Sequence, residues 1–207
     1  MSELRQADGA ALARAHQALY RFGALASAAG VPETDLLAAA ELLRSHIVPH
    51  HPDPLVRHAW TRVLAHPTVP LAGEQSRLDT LLLMERTLRR APSDPTDRLY
   101  ELYLRAGVRP SGASPDELTA ELDLAAELCA QEAQALESGQ AAALERVLRL
   151  RRELLAEHLV PWLPVLCDVL ETAADGAEIL MSALAATCRF DWHRLEAAVG
   201  ALEGRSE

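Results

Sequence analysis

Three groups of side chains in this sequence have types and spacings that could do chemistry. The largest is a histidine-rich stretch whose imidazoles could bind Zn²⁺ or Ni²⁺, formed by His46, His50, His51, His58 and His66. An acidic group, Asp116, Glu117 and Glu121, could face a cationic partner. His158 and Trp162 place an imidazole and an indole beside two prolines. Metal binding and the binding of a cationic partner are therefore the two chemistries to weigh.

The histidine-rich stretch is the weaker of these candidates. Its spacing fits no known ligand pattern, and no cysteine or paired carboxylate accompanies it. Pro49 and Pro52 also separate His46 from His58 by a turn whose shape the sequence does not define. We keep a metal-binding helical protein as the less favoured alternative and expect no metal site.

The residues needed for catalysis are not arranged in a recognisable pattern. There is no Gly-x-Ser-x-Gly elbow and no glycine-rich phosphate loop. The three cysteines, Cys129, Cys167 and Cys188, are far apart and lack a Cys-x-x-Cys pair, so neither a disulfide framework nor a thiolate metal site is expected. We predict that the protein is not an enzyme and carries no cofactor.

Composition predicts an all-α fold for the 207 residues. Hydrophobic residues make up 49% of the chain and aromatic residues only 4%, and the apolar content is mostly Leu and Ala. Residues that favour sheets are sparse. The formal net charge of −10 makes a nucleic acid an unfavourable partner, because a phosphate backbone needs a basic surface.

Leucine and alanine periodicity, with proline and glycine punctuation, predicts a compact bundle of about nine to ten helices. We expect one domain over residues 1–207, or alternatively two lobes, 1–92 and 93–207, with a hinge near Pro92–Pro95. No internal repeat is expected. The predicted helices cover about residues 3–29, 32–47, 55–65, 75–90, 95–107, 114–139 and 140–159, and further helices run through Leu170, Ile179–Cys188 and Asp191–Leu202.

We make three specific predictions about the helix boundaries near the candidate residues. Ser114 and Glu117 have the spacing of a capping box, with Pro115 at the first helical position. Pro161 and Pro164 should break the helix that precedes them, since each lacks an N–H and crowds the previous turn. Asp191 is expected to cap the last helix.

No segment of the sequence predicts export or membrane insertion. The first residues contain no apolar signal core, and no apolar run approaches the ~20 residues that span a bilayer. We therefore expect a soluble cytoplasmic protein with no stable membrane insertion.

Two segments, taken together, resemble a known family. Residues 114–128 begin Ser-Pro-Asp-Glu-Leu and lead into a Glu-Leu helix, and residues 158–164 read His-Leu-Val-Pro-Trp-Leu-Pro. In this order they resemble the TorD/DmsD/NarJ family of molybdoenzyme maturation chaperones, whose motifs are Pro-Asp-His and His-Leu-x-x-Trp-x-Pro. Glu117 stands where the family usually has His. Residues 99–107, residues 183–190 and Tyr20 are also similar to family segments.

The resemblance implies a TorD-like helical fold and a cytoplasmic chaperone without catalytic activity or cofactor. Such a protein binds the twin-arginine signal peptide or the apo form of a molybdopterin oxidoreductase, of the DMSO-reductase type, until the cofactor is inserted before export. It would act as a monomer or a homodimer. The expected client-peptide residues are Pro115, Asp116, Glu117, Glu121, His158, Trp162 and Tyr20. A NarJ-like assembly factor that acts independently of a signal peptide is the main alternative.

Overall fold

The computed structural model describes residues 3–28, 31–65, 85, 95–110, 114–170 and 177–204, with side chains described from residue 6 onward. It is 89% helical, and no strand occurs among the described residues, which confirms the all-α prediction. No helix within these ranges is both long and apolar enough to cross a membrane. The α-helices are α1 (Glu3–Ser27), α2 (Glu33–Leu42), α3 (Pro54–Ala65), α4 (Pro95–Ala106), α5 (Leu118–Glu137), α6 (Ala141–Leu154), α7 (Val160–Leu170) and α8 (Ala177–Glu203).

The core is built on α1, which packs along most of α5, and on α8, which packs against α3, α6 and α7. Gly23 shows how closely these helices approach. A Cβ at Gly23 would lie 2.7 Å from a methyl of Leu184 in α8 and 3.3 Å from a methyl of Leu122 in α5. A side chain at this position would therefore displace the methyl groups of Leu184 and Leu122.

Several predicted helix ends are confirmed. Helix α4 begins at Pro95, and Gly107 and Gly139 follow α4 and α5 with φ of 70° and 65°. A residue with a side chain is strained in this left-handed region, which is why glycine ends these helices. The predicted helix over 75–90 lies outside the described residues apart from Glu85, which is helical. No observation tests whether the chain has one domain or two lobes.

The predicted break at Pro161 and Pro164 is wrong. Residues 141–170 form one continuous helical run in which α6 passes into α7 through a π-helical turn, Leu155–Leu159. The N–H of Val160 bonds to the carbonyl of Leu155, five residues back. A π-helical turn is wider than an α-helical one, and this width accommodates the ring of Pro161 without ending the helix.

A second π-helical turn, Leu43–Ile47, follows α2 in the same manner and leads into a short 3₁₀ helix, Val48–His50. Here the N–H of Val48 bonds to the carbonyl of Leu43. Each π-helical turn is thus followed, two residues after its end, by a proline. The two turns therefore share one local geometry.

One short internal similarity departs from the expectation of no internal repeat. Residues 41–52, the first repeat segment, read Glu-Leu-Leu-Arg-Ser-His-Ile-Val-Pro-His-His-Pro. Residues 153–164, the second repeat segment, read Glu-Leu-Leu-Ala-Glu-His-Leu-Val-Pro-Trp-Leu-Pro, identical at seven of twelve positions. When the alignment of the two segments is extended towards the N-terminus without a gap, α1 aligns with α5 and α2 aligns with α6. The signal was present in the sequence but is too short to find without the coincident π-helical turns.

The predicted number of helices and two predicted caps are corrected by the structure. The described residues form seven continuous helical segments rather than nine to ten. One reason is that Asp191 does not cap a helix but lies in the middle of α8. Helix α5 begins at Leu118, and Glu117 occupies its N-cap position without a side-chain cap bond. Ser114 does not form the capping box because its hydroxyl donates to the carboxylate of Asp116.

Candidate functional site

The two motif segments that carry the family resemblance face each other in the interior. Helix α5 presents Glu121 on its first turn, and Trp162 lies on the first turn of α7. The indole Nε1 of Trp162 donates to Oε2 of Glu121 at 3.2 Å, and both side chains are fully buried. A buried carboxylate needs such donors because burial without them is costly. This bond therefore holds the start of α5 against the second repeat segment.

Glu85 connects the remaining motif residues and was missed by sequence reasoning. Its backbone N–H donates to the carbonyl oxygen of Asp116 at 3.0 Å. Its carboxylate oxygen Oε2 lies 2.7 Å from Nδ1 of His158, and both residues are buried. The only sequence signal is that this glutamate follows the apolar run Leu81–Met84. Asp116 and His158 are thus linked through a residue that belongs to neither motif.

Tyr103 of α4 adds a further link to the start of α5. Its hydroxyl donates to the carbonyl oxygen of Ala120 at 2.6 Å. Burial, together with the nearby carboxylates of Glu121 and Asp123, raises the pKa of Tyr103, so the hydroxyl stays a donor. Helices α4, α5 and α7 therefore meet around Glu121.

Tyr20 lies in a different buried network, centred on Asp191 of α8. Its hydroxyl donates to Oδ2 of Asp191 at 3.2 Å, and Arg151 of α6 bonds to the same oxygen. Arg194 donates to the other oxygen at 3.1 Å. Burial alone would raise the pKa of Asp191, but Arg151, His16 and Arg194 hold it well below its usual range. Asp191 is therefore a charged partner within the core.

Glu132 of α5 completes this network as the second carboxylate. It forms ion pairs with Arg151 and with Arg194, whose Nη1 lies 2.9 Å from Oε1 of Glu132. Two arginines thus meet two carboxylates, including Asp191, and the charges balance. A balanced, hydrogen-bonded group of this kind can be buried, whereas removal of one member would leave an uncompensated charge. The network ties together α5, α6 and α8.

A pair of histidines extends from Asp191 to the first repeat segment. The backbone N–H of Asp53 donates to Nδ1 of His51 at 3.2 Å, so the proton of His51 is on Nε2. This nitrogen lies 3.1 Å from Nε2 of His16, whose Nδ1 is 3.1 Å from Oδ1 of Asp191. Burial lowers the pKa of His16, and burial with the neighbouring His16 lowers the pKa of His51 to about 4. Both rings are therefore neutral near pH 7.

The histidine-rich stretch is not gathered into one site. His46, His50 and His58 are exposed, whereas His51 turns inward to His16. His66 lies outside the described residues. Within the ranges that the structure describes, no group of three or more His, Cys, Asp or Glu side chains could hold a metal ion.

The cysteines are not prepared for nucleophilic chemistry. Burial raises the pKa of Cys129 to about 12 and also raises the pKa values of Cys188 and Cys167. A thiol with a raised pKa carries little of the reactive thiolate near neutral pH. The arrangement around Glu121 and Asp191 consists instead of buried hydrogen bonds and ion pairs between helices.

Burial distinguishes the predicted site residues from one another. Six of them are buried: Tyr20, Pro115, Asp116, Glu121, His158 and Trp162. Glu117 is partly exposed at the start of α5. Their contact with a client peptide stays a prediction, and in the described conformation Glu117 is the accessible member.

Two surface cavities lie elsewhere. One, of about 730 Å³, borders the first repeat segment and α3 and is lined in part by Arg44, Val48, Pro49 and His58. The other, of about 360 Å³, is polar and lies between α5 and α6, where Gln131 and Gln140 contribute. Neither includes a predicted client-peptide residue.

Comparison with known proteins gives one match. Residues 83–168 match the family model described as Nitrate reductase delta subunit. The matched region includes Glu85, the start of α5 and the whole second repeat segment. No curated protein and no solved structure matches the chain.

Proposed function

We propose that this chain, which the match over residues 83–168 supports as a member of the TorD/DmsD/NarJ family of molybdoenzyme maturation chaperones, binds the twin-arginine signal peptide of its client. Proteins of this family act in molybdoenzyme assembly. The proposed client is the apo form of a DMSO-reductase-type molybdopterin oxidoreductase. The chaperone acts in the cytoplasm, as a monomer or homodimer, without a cofactor or catalytic activity of its own.

The observation that carries this proposal is that the family match and the buried contact coincide. The matched region contains both motif segments, and the bond between Trp162 and Glu121 joins them. Motif residues that meet in space across about forty residues of sequence favour a shared role. If the start of α5 and Trp162 had only separate packing roles, the two motif segments would not need to contact each other.

Twin-arginine peptides combine two guanidinium groups with an apolar run. A receptor for such a peptide needs carboxylates near an apolar wall. In our proposal Glu117 contacts the peptide directly, because it is the predicted residue that solvent reaches. The buried residues act as positioning residues. Five of them fix the start of α5 against α7, namely Pro115, Asp116, Glu121, His158 and Trp162, and Tyr20 bonds α1 to Asp191 of α8.

Titration calorimetry tests the proposal with a synthetic twin-arginine signal peptide from a molybdopterin oxidoreductase encoded beside this gene. We expect saturable binding that weakens when both arginines of the peptide are replaced by glutamine. Glu117→Gln should weaken binding, whereas Glu145→Gln, a substitution at an exposed glutamate of α6, should not. Absence of binding to both the peptide and the apo-enzyme would sink the proposal.

A second candidate function is a NarJ-like assembly factor that does not use a signal peptide. The description of the matching family, nitrate reductase delta subunit, favours it as much as the first. Pull-down of an apo-enzyme that lacks its signal peptide distinguishes the two. Unchanged capture favours the NarJ-like version, and lost capture favours signal-peptide binding.

A further inference from the structure

The two repeat segments share a π-helical turn but have different surroundings. Leu154 in the second segment is fully buried, whereas Leu42, at the equivalent position of the first, is 52% exposed. His158 is buried, and its counterpart His46 is exposed. One sequence pattern is therefore covered in the second half of the chain and presented to solvent in the first.

Helix α4 provides part of the cover over the second segment. It packs along α6, and Arg105 of α4 donates two hydrogen bonds of 2.8 Å each to the carboxylate of Glu153. A second arginine, Arg98, reaches Glu157 at 3.1 Å. Leu99 and Leu102 are buried on the inner side of α4. The cover is thus an amphipathic helix with two arginines and an apolar face.

The corresponding positions of the first segment are available to a similar partner. Glu41 is the counterpart of Glu153, and its side chain is 63% exposed. Leu37, five residues before Leu42 in α2, is also 43% exposed, but its counterpart in the second half of the chain is Arg149. Single exposed leucines are ordinary, but here Glu41 and Leu42 together repeat the pair Glu153 and Leu154, of which the same chain ion-pairs the first and buries the second.

From this correspondence we infer that the outer face of the first repeat segment, defined by Glu41, Leu42 and His46, binds the client's twin-arginine segment as a helix placed as α4 is placed on the second segment. The inference rests on the proposed function, since that function supplies a partner with paired arginines and an apolar run. It adds three residues that contact the peptide besides Glu117.

One of the two ion pairs that α4 makes has a counterpart on this face. An arginine and a carboxylate form a planar bidentate pair, as Arg105 and Glu153 do, and Glu41 offers the same group to one arginine of the client, whereas Ser45 stands at the position of Glu157. The apolar run of the peptide then covers Leu42, as an amphipathic helix does in a groove. At present Arg44 and Ser45 bond to the two carboxylate oxygens of Glu41 at 2.8 Å and 2.6 Å, and these exposed contacts are weak enough to be displaced.

The experiment is titration calorimetry of the full chain with the same synthetic signal peptide. The double variant Glu41→Gln, Leu42→Ser should raise Kd by at least about tenfold. Its matched control, Glu145→Gln with Leu104→Ser, removes an exposed glutamate and an 83% exposed leucine elsewhere and should leave Kd unchanged. Circular dichroism and the thermal midpoint verify that both variants fold.

A charge reversal sharpens the test. Glu41→Arg should abolish binding of the ordinary peptide and regain it with a peptide whose first motif arginine is replaced by glutamate. If the wild-type chain binds the peptide and the Glu41 and Leu42 substitutions leave Kd unchanged, the placement is wrong but the proposed function stands. If the wild-type chain does not bind the peptide, signal-peptide binding and its placement both fail.

Discussion

The first and second repeat segments place similar residues on a π-helical turn. Several side chains are exposed in the first segment, whereas their counterparts in the second segment are buried. Trp162 is fully buried against Glu121, and its counterpart His50 is exposed. His158 bonds to Glu85, and its counterpart His46 points to solvent. The backbone pattern is therefore set by local sequence, whereas the role of each side chain is set by the elements that pack over it.

This difference assigns separate tasks to the two segments. The second segment joins α5, α7 and the residue Glu85, so its polar groups stabilise the fold. The first segment is held from within by His51 and offers its outer face to a partner. Substitutions at equivalent positions should thus have unequal effects on stability and on binding.

The largest difference is expected at the aromatic position. Trp162→Ala should lower the free energy of unfolding by about 3–5 kcal/mol, because it removes a buried indole and leaves Glu121 without that donor. His50→Ala should change it by less than about 0.5 kcal/mol. Urea denaturation of the two variants measures both values, and equal losses would contradict the distinction.

A smaller difference is expected at the shared histidine. His158→Ala should cost about 2–3 kcal/mol, since a buried bond to the carboxylate of Glu85 is lost. His46→Ala, on the exposed face, should cost less than about 0.5 kcal/mol. Chemical denaturation again measures the two losses. A His46 variant as unstable as the His158 variant would show that the first segment is also covered.

The inward side of the first segment predicts a pH dependence. The pKa of His51 is about 4 in the folded protein, below the ordinary histidine value of 6.5, so the unfolded chain binds a proton at a higher pH than the folded chain does. The stabilisation that neutral His51 contributes is therefore complete above about pH 6.5 and is lost as the pH falls towards 4.

The matched variant for this prediction takes its residue from the second segment. His51→Leu introduces the leucine found at the equivalent position, Leu163, and should flatten the loss of stability between pH 7 and pH 5. Thermal unfolding as a function of pH measures the slope. An unchanged slope would mean that other groups govern the acid response.

The smallest expected effect concerns Arg44, which competes with the client peptide for Glu41. Arg44 pairs with Glu41 on the surface, and such a pair contributes about 0.2–1 kcal/mol. Arg44→Ala should therefore lower Kd for the signal peptide by about twofold to fivefold. Calorimetry compares it with Arg149→Ala, which removes the similar exposed pair with Glu145 and should leave Kd unchanged.

Sequence pattern was sufficient for the helical class and for helix ends marked by Pro95, Gly107 and Gly139, since those signals are local. It failed at Pro161 and at Asp191. A π-helical turn absorbs the proline, and an aspartate inside a helix is explained only by Arg151 from another helix. Contacts between distant residues, such as the one that Glu85 makes with His158, leave no periodic trace in the sequence.

Hydrogen–deuterium exchange of the full chain, with and without the signal peptide, tests the central comparison most directly. We predict that peptide binding slows exchange in residues 37–50 and leaves it unchanged in residues 153–164, where Leu154, His158 and Trp162 are already buried. Slower exchange confined to residues 153–164, or the same exchange everywhere with the peptide bound, would contradict the assignment of the two segments.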